Sequence, residues 1–473
     1  MPINTRTKIL ATLGPSSNTE EKISALIDAG VDGFRLNFSH GTHEEHQNIY
    51  QLVRKLAKEK NVQVTVVADM QGPKLRIGMF KDGKVLLHKG QKFTLDMKNE
   101  LGDENRVTLP HKEIFEALKV GDKLLVNDGN IVLSVLKCNK ESALTEVQVG
   151  GFISGHKGVN LPNSSLNISP LTPKDLDDLE FALGLGVDCV CLSFVQRVSD
   201  IKEARKIIGK RAWIISKLEK PQVLDDLDNI IKASDMIMVA RGDLGVECPI
   251  VTVPVLQKRI VSKCRVFGKP VIVATQMLES MINAPVPTRA EVSDIANAVY
   301  DGCDVVMLSG ETAAGNYPVE TVQTMHGVIQ QVESDPKYLE NVHHFCQGGN
   351  CNSEAHAITH AAGEVVKTLD KVACIATFSV SGATTLAMAQ ERPNLPIISI
   401  NPTEEIARRL NLVWGVKTYI DTKVFESFDN IETVSRAFAS LSGLAKKGEH
   451  IVVTAGYPFG RVGSTNVLHI VKA

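Results

Sequence analysis

The stretch GVDCVCLSFV, residues 186–195, has two counterparts in the same chain: GVDGFRLNFS at 30–39 and GCDVVMLSGE at 302–311. Each runs glycine, one residue, aspartate, then an apolar segment ending in polar residues. A segment apolar at consecutive positions suits a strand buried on both faces of a parallel sheet. Each follows a helical pattern. Before the third, Thr288 and Glu291 have capping-box spacing. Val292, Ile295, Ala296 and Val299 then share one helical face, and Gly302 closes the helix. Before the second, Thr172 and Pro173 fit an N-cap and first turn, with Leu176, Leu179 and Leu183 as the apolar stripe.

Five further strands are predicted at Lys8–Leu13, Val64–Ala68, Trp213–Ser216, Met236–Ala240 and Pro270–Ala274. Strands alternating with helix-length connections predict a parallel sheet, and eight of them predict a closed (βα)8 barrel. An open doubly wound sheet is the alternative that counting leaves standing. Roughly 120 residues separate the third strand from the fourth, against about 30 for an ordinary βα unit. Within that gap KVLLHKG, KFTLDM, KLLVNDG, IVLSVLK and LTEVQVG are short runs broken by glycine turns, which predicts a small all-β domain. Inserted in a barrel loop, it would lie over the catalytic face as a lid. Beyond about residue 340, ACIATFS, PIISIN, GVKTYI, HIVVTAG and VLHIVKA alternate with helical stretches and predict a separate α/β domain. The expected division is 1–73 with 168–340 as the barrel, 74–167 as the lid and 341–473 as the C-terminal domain.

The 473 residues are 43% hydrophobic and 22% charged, with a formal net charge of -2. No basic footprint for nucleic acid is present, and no apolar stretch is long enough to span a bilayer. The opening MPINTRTKILATLGPSS lacks the pattern of a signal peptide. Nine cysteines at irregular spacing fit reduced thiols, so a cytoplasmic protein is expected.

Chemistry in such a barrel sits at the C-terminal strand ends. Those ends carry Arg35, Asn37, Ser39 and His40; Asp69, Gln71 and Lys74; Lys217 and Glu219; Arg241 and Asp243; Thr275 and Gln276; Ser309 and Glu311. Glu219 and Asp243 are the right type for a hard cation such as Mg²⁺. Arg35 and Lys217 suit phosphate oxygens. Metal-binding carboxylates with cations around one pocket are the equipment of phosphoryl transfer. Gly242 would let the backbone approach a ligand, and so would Gly72. RGD at 241–243 follows a buried strand, which argues against an adhesion motif. HHFCQGGNC, from His343, with His356 and His360 one helical turn apart, has zinc-type residues, but their spacing matches no standard pattern.

Taken together, TKILATLGPSS, RLNFSHG, QGPKLRIG, HKGVNLP, IISKLE, MVARGDLGVE, VATQMLESM, PTRAEVSDIANAV and VMLSGETAAGNYP resemble the pyruvate kinase family over nearly the whole chain. The resemblance implies the same three-part architecture, phosphoryl transfer from phosphoenolpyruvate to ADP giving pyruvate and ATP, and a homotetramer. It implies that Lys217 contacts the transferred group and that Glu219 and Asp243 hold Mg²⁺ or Mn²⁺. Gly242, Asp243 and Thr275 would hold the substrate carboxylate, and Arg35 its phosphate. Arg241 would brace the site, and Thr275, through water, would be a candidate for the proton path to the enolate. Asn37, Phe38, Ser39, His40, Arg76 and Lys157 would face the nucleotide, Lys157 being brought in by the lid.

Two departures follow. Many relatives hold K⁺ through an Asn, a Ser, an Asp and a Thr. Here Asn37, Ser39 and Asp69 are present, but Met70 follows, and Lys74 stands where K⁺-requiring relatives commonly have glutamate. An ammonium on a flexible stem can supply the missing charge, so turnover without K⁺ is expected from a vestigial K⁺ site. Relatives also bind a phosphorylated effector after the first C-terminal strand. SVSGATT offers Ser379, Ser381, Gly382, Thr384 and Thr385 as a phosphate nest. Val380 and Ala383 replace residues that are charged in many relatives, so either loop flexibility or a partner loop such as GRVGST, from Gly460, would have to compensate. The rival readings are another Mg²⁺-dependent barrel enzyme such as a lyase, and a non-catalytic metabolite sensor.

Overall fold

The computed structural model describes residues 5–162, 168–344, 353–422, 427–459, 461 and 463–473. Eight parallel strands close into a barrel: Lys8–Thr12, Gly33–Asn37, Thr65–Asp69, Cys189–Leu192, Trp213–Leu218, Met236–Ala240, Val271–Ala274 and Val305–Leu308. Closure removes the doubly wound alternative, because the first strand pairs with both the second and the eighth. Inside, Leu10, Val67, Cys189, Cys191, Ile215, Met236, Met238, Ile272 and Val305 fill the lumen. Burial pushes the Cys189 and Cys191 thiols well up, so they act as small apolar groups.

The repeated aspartate has a structural reason. Asp32 accepts the Ile9 N–H at 2.9 Å, Asp188 the Val66 N–H at 2.7 Å and Asp304 the Val271 N–H at 2.9 Å. Each carboxylate satisfies a backbone donor where the neighbouring strand enters the barrel. Asp235 does the same for Ile214 at 2.7 Å. The C-terminal domain docks on this face. Arg408 Nε lies 2.8 Å from Asp188, Arg392 Nη2 lies 3.0 Å from Asp304, and Asn411 donates to the Asp32 carbonyl at 2.8 Å.

The expected capping box forms: Thr288 and Glu291 start helix Arg289–Tyr300. The expected N-cap Thr172 and first-turn Pro173 start helix Pro173–Leu185, where Thr172 also forms a capping box with Asp175. Both acids do more. Glu291 also accepts from Ser280 N at 2.7 Å, holding the loop after the seventh strand. Asp175 accepts the Gly72 N–H at 3.0 Å at the entrance to the inserted domain. Gly72 has φ +70°, and a Cβ there would lie 2.9 Å from Ser193 Cβ, so a side chain is excluded twice. One expectation fails. Leu176 is 43% exposed, and the buried face of its helix instead carries Asp175, Asp178, Leu179, Ala182 and Leu183. Two of these acids serve caps and ion pairs that an apolar stripe does not register.

The inserted segment is β-rich, with a six-stranded sheet, a two-stranded ribbon and one short helix, Lys112–Ala117. Its own core gathers Phe93, Leu95, Leu124, Leu133 and Val147. The C-terminal domain is a five-stranded sheet in the order Val416–Ile420, Ile397–Asn401, Val372–Phe378, His450–Gly456, Thr465–Lys472, parallel except for the last strand. No described helix is long and apolar enough to cross a membrane.

Candidate active site

The C-terminal rim of the barrel gathers two cations on one buried carboxylate. Asp69 ends the third strand in register with Asn37. Its Oδ2 lies 2.6 Å from Arg35 Nε, and its Oδ1 lies 3.4 Å from Lys217 Nζ. Burial alone would raise the Asp69 carboxyl, but Lys217 and Arg35 outweigh it and hold it below the usual range. Lys217 also meets Glu219 Oε1 at 2.9 Å and donates to Ser193 Oγ at 2.8 Å. Burial disfavours its charge, but Asp69 and Glu219 more than compensate, so the ammonium is held charged.

Glu219 is wholly buried. Its Oε2 accepts the Phe194 N–H at 2.8 Å. Its Oε1 touches Lys217 as an ion pair without the alignment of a hydrogen bond, so a lone pair stays available. Burial first, and then the nearby Asp243 charge, raise the Glu219 carboxyl despite Lys217. Two carboxylates that repel each other across a gap, one with an unused buried oxygen, fit a divalent cation.

Gly242 and Thr275 are in close register because the sixth and seventh strands pair through Ala240 and Ala274. A Cβ on Gly242 would lie 2.8 Å from Thr275 Cγ2. Thr275 has φ +77° and Gln276 φ +55°. A β-branched residue in the left-handed region is strained, and such strain concentrates at working sites. Arg241 over-determines it. Its guanidinium donates to the Ala274 carbonyl at 3.1 Å and the Thr275 carbonyl at 2.7 Å, and is anchored to Asp294 at 2.7 Å. Arg241 is therefore a positioning residue.

The inserted domain reaches this rim. Asn160 Nδ2 donates to Glu247 Oε1 at 2.7 Å, and Lys220 pairs with the same oxygen. Lys74, Gly158, Phe194, Gln196, Lys220 and Asp243 line the cleft between. Lys74 makes no ion pair with the described residues. Arg76 donates to the His156 carbonyl at 2.9 Å and bridges Gly158 beside Lys157. Asn37 Oδ1 accepts the Ser39 N–H at 3.2 Å, and His40 is exposed.

Some expected positions are corrected. The Phe38 ring is 2% exposed and stacks on His46 at 4.2 Å, so it cannot present a face to a nucleotide. Glu311 is buried and accepts the Leu278 N–H at 3.1 Å and the Ser309 N–H at 2.7 Å; it ties the rim together and is no ligand. In the C-terminal domain, Thr385 is fully buried, its hydroxyl bonded to Thr377 and Ser399 at 2.8 Å each. It is sealed from any effector. Ser379, Ser381 and Thr384 do line a cavity with Arg461, Gly463 and Ser464, while Gly460 and Val462 lie outside the described residues. Thr384 and Thr465 join the two loops at 2.6 Å. The segment from Phe345 to Asn352, most of HHFCQGGNC, lies outside the described residues too.

Ser193 was missed. It aligns with Asn37 and Ser309 at the ends of the repeated segments, and that register marked it. It bridges Lys217 to the Met70 carbonyl, which its hydroxyl reaches at 2.8 Å.

A closed βα barrel whose rim holds paired cations and a pair of metal-type carboxylates beneath a β-rich lid defines an enzyme of the phosphoryl-transfer class. The comparisons with known proteins give the particular family. The family model "Pyruvate kinase, barrel domain" matches residues 4–322, and "Pyruvate kinase, alpha/beta domain" matches 356–471. A pyruvate kinase of Agrobacterium vitis is 45% identical over 471 residues, covering 99% of each chain. One from Methylorubrum extorquens is 45% identical over 466 residues, covering 98% of this chain and 97% of its own. The crystal structure of a pyruvate kinase from Cryptosporidium parvum superposes with a TM-score of 0.92 at 34% identity, covering 99% of this chain and 96% of its own. The chain belongs to the pyruvate kinase family, enzymes that couple phosphoenolpyruvate and ADP to pyruvate and ATP.

Proposed function

We propose that this enzyme closes glycolysis as a divalent-metal-dependent, K⁺-independent pyruvate kinase. The observation that carries the K⁺ reading is Lys74. Its half-buried ammonium shares the lid cleft with Asp243 and has no ion pair among the described residues. The groups that would otherwise hold K⁺ are engaged: Asp69 with Arg35 and Lys217, and Asn37 with the Ser39 backbone. The lysine supplies the positive charge beside the bound anions that a monovalent cation supplies elsewhere.

In this reading Glu219 and Asp243 hold Mg²⁺ or Mn²⁺, which when bound neutralises charge on the phosphoryl group and on the enolate oxygen as a Lewis acid. Arg35 grips the phosphate. Lys217, held charged by Asp69 and Glu219, stabilises the group in flight. The Gly242 and Asp243 backbone with the Thr275 hydroxyl orients the substrate carboxylate. We assign Thr275, through a water, to the proton path onto carbon. Asn37, Ser39 and His40, with Arg76 and Lys157 of the lid, serve the nucleotide.

Regulation is read from the cavity of Ser379, Ser381 and Thr384, with Gly382 in the same loop. A phosphorylated metabolite binds there, and Arg461 supplies the cation that the first loop lacks. The working form is a homotetramer in the cytoplasm. The test is Lys74→Glu: it should turn a K⁺-indifferent enzyme into one that needs K⁺. A variant equally active with and without K⁺ would overturn the Lys74 reading.

A further inference from the structure

Ser193 and Phe194 follow the fourth barrel strand and clamp two residues at the end of the fifth, Lys217 and Glu219, one apiece. Ser193 Oγ accepts from Lys217 Nζ at 2.8 Å, and the Phe194 N–H donates to Glu219 Oε2 at 2.8 Å. Phe194 does so at φ +56°, where a bulky residue is strained, and such strain concentrates at working sites. Lysine has three donors and no acceptor. Among the described residues, Lys217 meets only Ser193 in hydrogen-bond geometry; its contacts with Asp69 at 3.4 Å and Glu219 at 2.9 Å are ion pairs. The carboxylates hold the charge, and the hydroxyl gives it a direction. That direction is itself fixed. The buried Ser193 hydroxyl has one proton, and the Met70 carbonyl at 2.8 Å takes it ahead of Asp69 Oδ1 at 3.5 Å, which leaves a lone pair facing Lys217. Met70 begins the strap, residues 70–73, that leads into the inserted domain. A Cβ on Gly72 of the same strap would lie 2.9 Å from Ser193 Cβ.

We propose that Ser193 is a positioning residue: it aims the Lys217 ammonium at the group in transfer and ties it to the strap that carries the lid. This rests on the reading of Lys217 and of the Glu219–Asp243 metal pair given above. With Glu219 serving the metal and Asp69 shared with Arg35 at 2.6 Å, Ser193 is the contact that keeps Lys217 in line.

The test is steady-state kinetics on the full-length enzyme with both Mg²⁺ and K⁺ present, with thermal melts on the same preparations. Ser193→Ala should lower kcat roughly 10–100-fold, up to the scale of an ångström-sized misplacement, with KM for phosphoenolpyruvate nearly unchanged. Ser193→Cys keeps the side chain's size but offers only a weak acceptor. It should show the same loss, and it serves where the alanine variant does not fold. Ser216→Ala is the control. It removes a buried hydroxyl bonded to Ser234 at 2.7 Å, on the residue before Lys217, and should leave kcat unchanged. In a Lys217→Met background, removing the Ser193 hydroxyl should cost nothing further, because effects exerted through one shared group do not add. Wild-type kcat in folded Ser193→Ala and Ser193→Cys, beside a Lys217→Met variant that has lost kcat, would overturn the proposal alone. So would losses that multiply in the double variant, or an equal loss in Ser216→Ala. A Lys217→Met variant with wild-type kcat would overturn the Lys217 assignment and this proposal together.

Discussion

Gly242 and Thr275 are so close that a single added methyl on the glycine would sit 2.8 Å from the threonine Cγ2. Thr275 cannot retreat easily, since its backbone is already at φ +77° and its carbonyl is held by Arg241 at 2.7 Å. Gly242→Ala should therefore cost about 1–3 kcal/mol of stability through overpacking. It should lower kcat/KM for phosphoenolpyruvate by roughly 100-fold, the scale of an ångström-sized misplacement. Steady-state kinetics and thermal melts on the same preparation check both. Near-normal kcat/KM in a folded variant would contradict the close-approach role.

Lys217→Met removes the cation that both Asp69 and Glu219 share at 3.4 and 2.9 Å. Loss of one preorganised charge at a reacting centre costs on the order of 10²–10³ in kcat. The expected signature is a fall in kcat with a much smaller change in KM for phosphoenolpyruvate. A rise in KM alone would make Lys217 a simple binding group.

Asp69 gives a pH prediction. Its folded-state carboxyl is depressed, so it contributes stability that is fully present above the unfolded value of about 3.9 and is lost as pH falls through the lower folded value. Asp69→Asn leaves Arg35 and Lys217 short of a buried partner and should cost about 3 kcal/mol near neutrality. The gap between wild type and variant should narrow as pH drops below about 4. A gap independent of pH would show that packing, not charge, explains the loss.

Asn160 ties the inserted domain to Glu247 at 2.7 Å. Asn160→Ala should loosen lid docking and raise KM for ADP several-fold, with phosphoenolpyruvate binding and the melting temperature nearly unchanged. An unaltered KM for ADP would remove the lid from nucleotide capture.

The barrel was legible because buried parallel strands are apolar at consecutive positions, and the three repeats fixed the period. Their aspartates could be seen but not explained from sequence. Each serves the strand beside its own, a relation between residues such as Asp188 and Val66 that only the pairing of the strands creates. The site was legible to the extent that its residues sit at strand ends. Reading ends alone took in Glu311, whose carboxylate is spent on two backbone N–H groups, and passed over Ser193. Phe38 and Thr385 lie among exposed-looking polar neighbours in the sequence, yet tertiary packing buries the ring of one and the hydroxyl of the other.

The central claim, that Lys74 stands in for a monovalent cation, meets its most direct test in pyruvate release from phosphoenolpyruvate and ADP with Mg²⁺, in buffer free of K⁺, followed by K⁺ titration. The account predicts full turnover at the outset and no gain as K⁺ is added. Negligible turnover that K⁺ restores would contradict it.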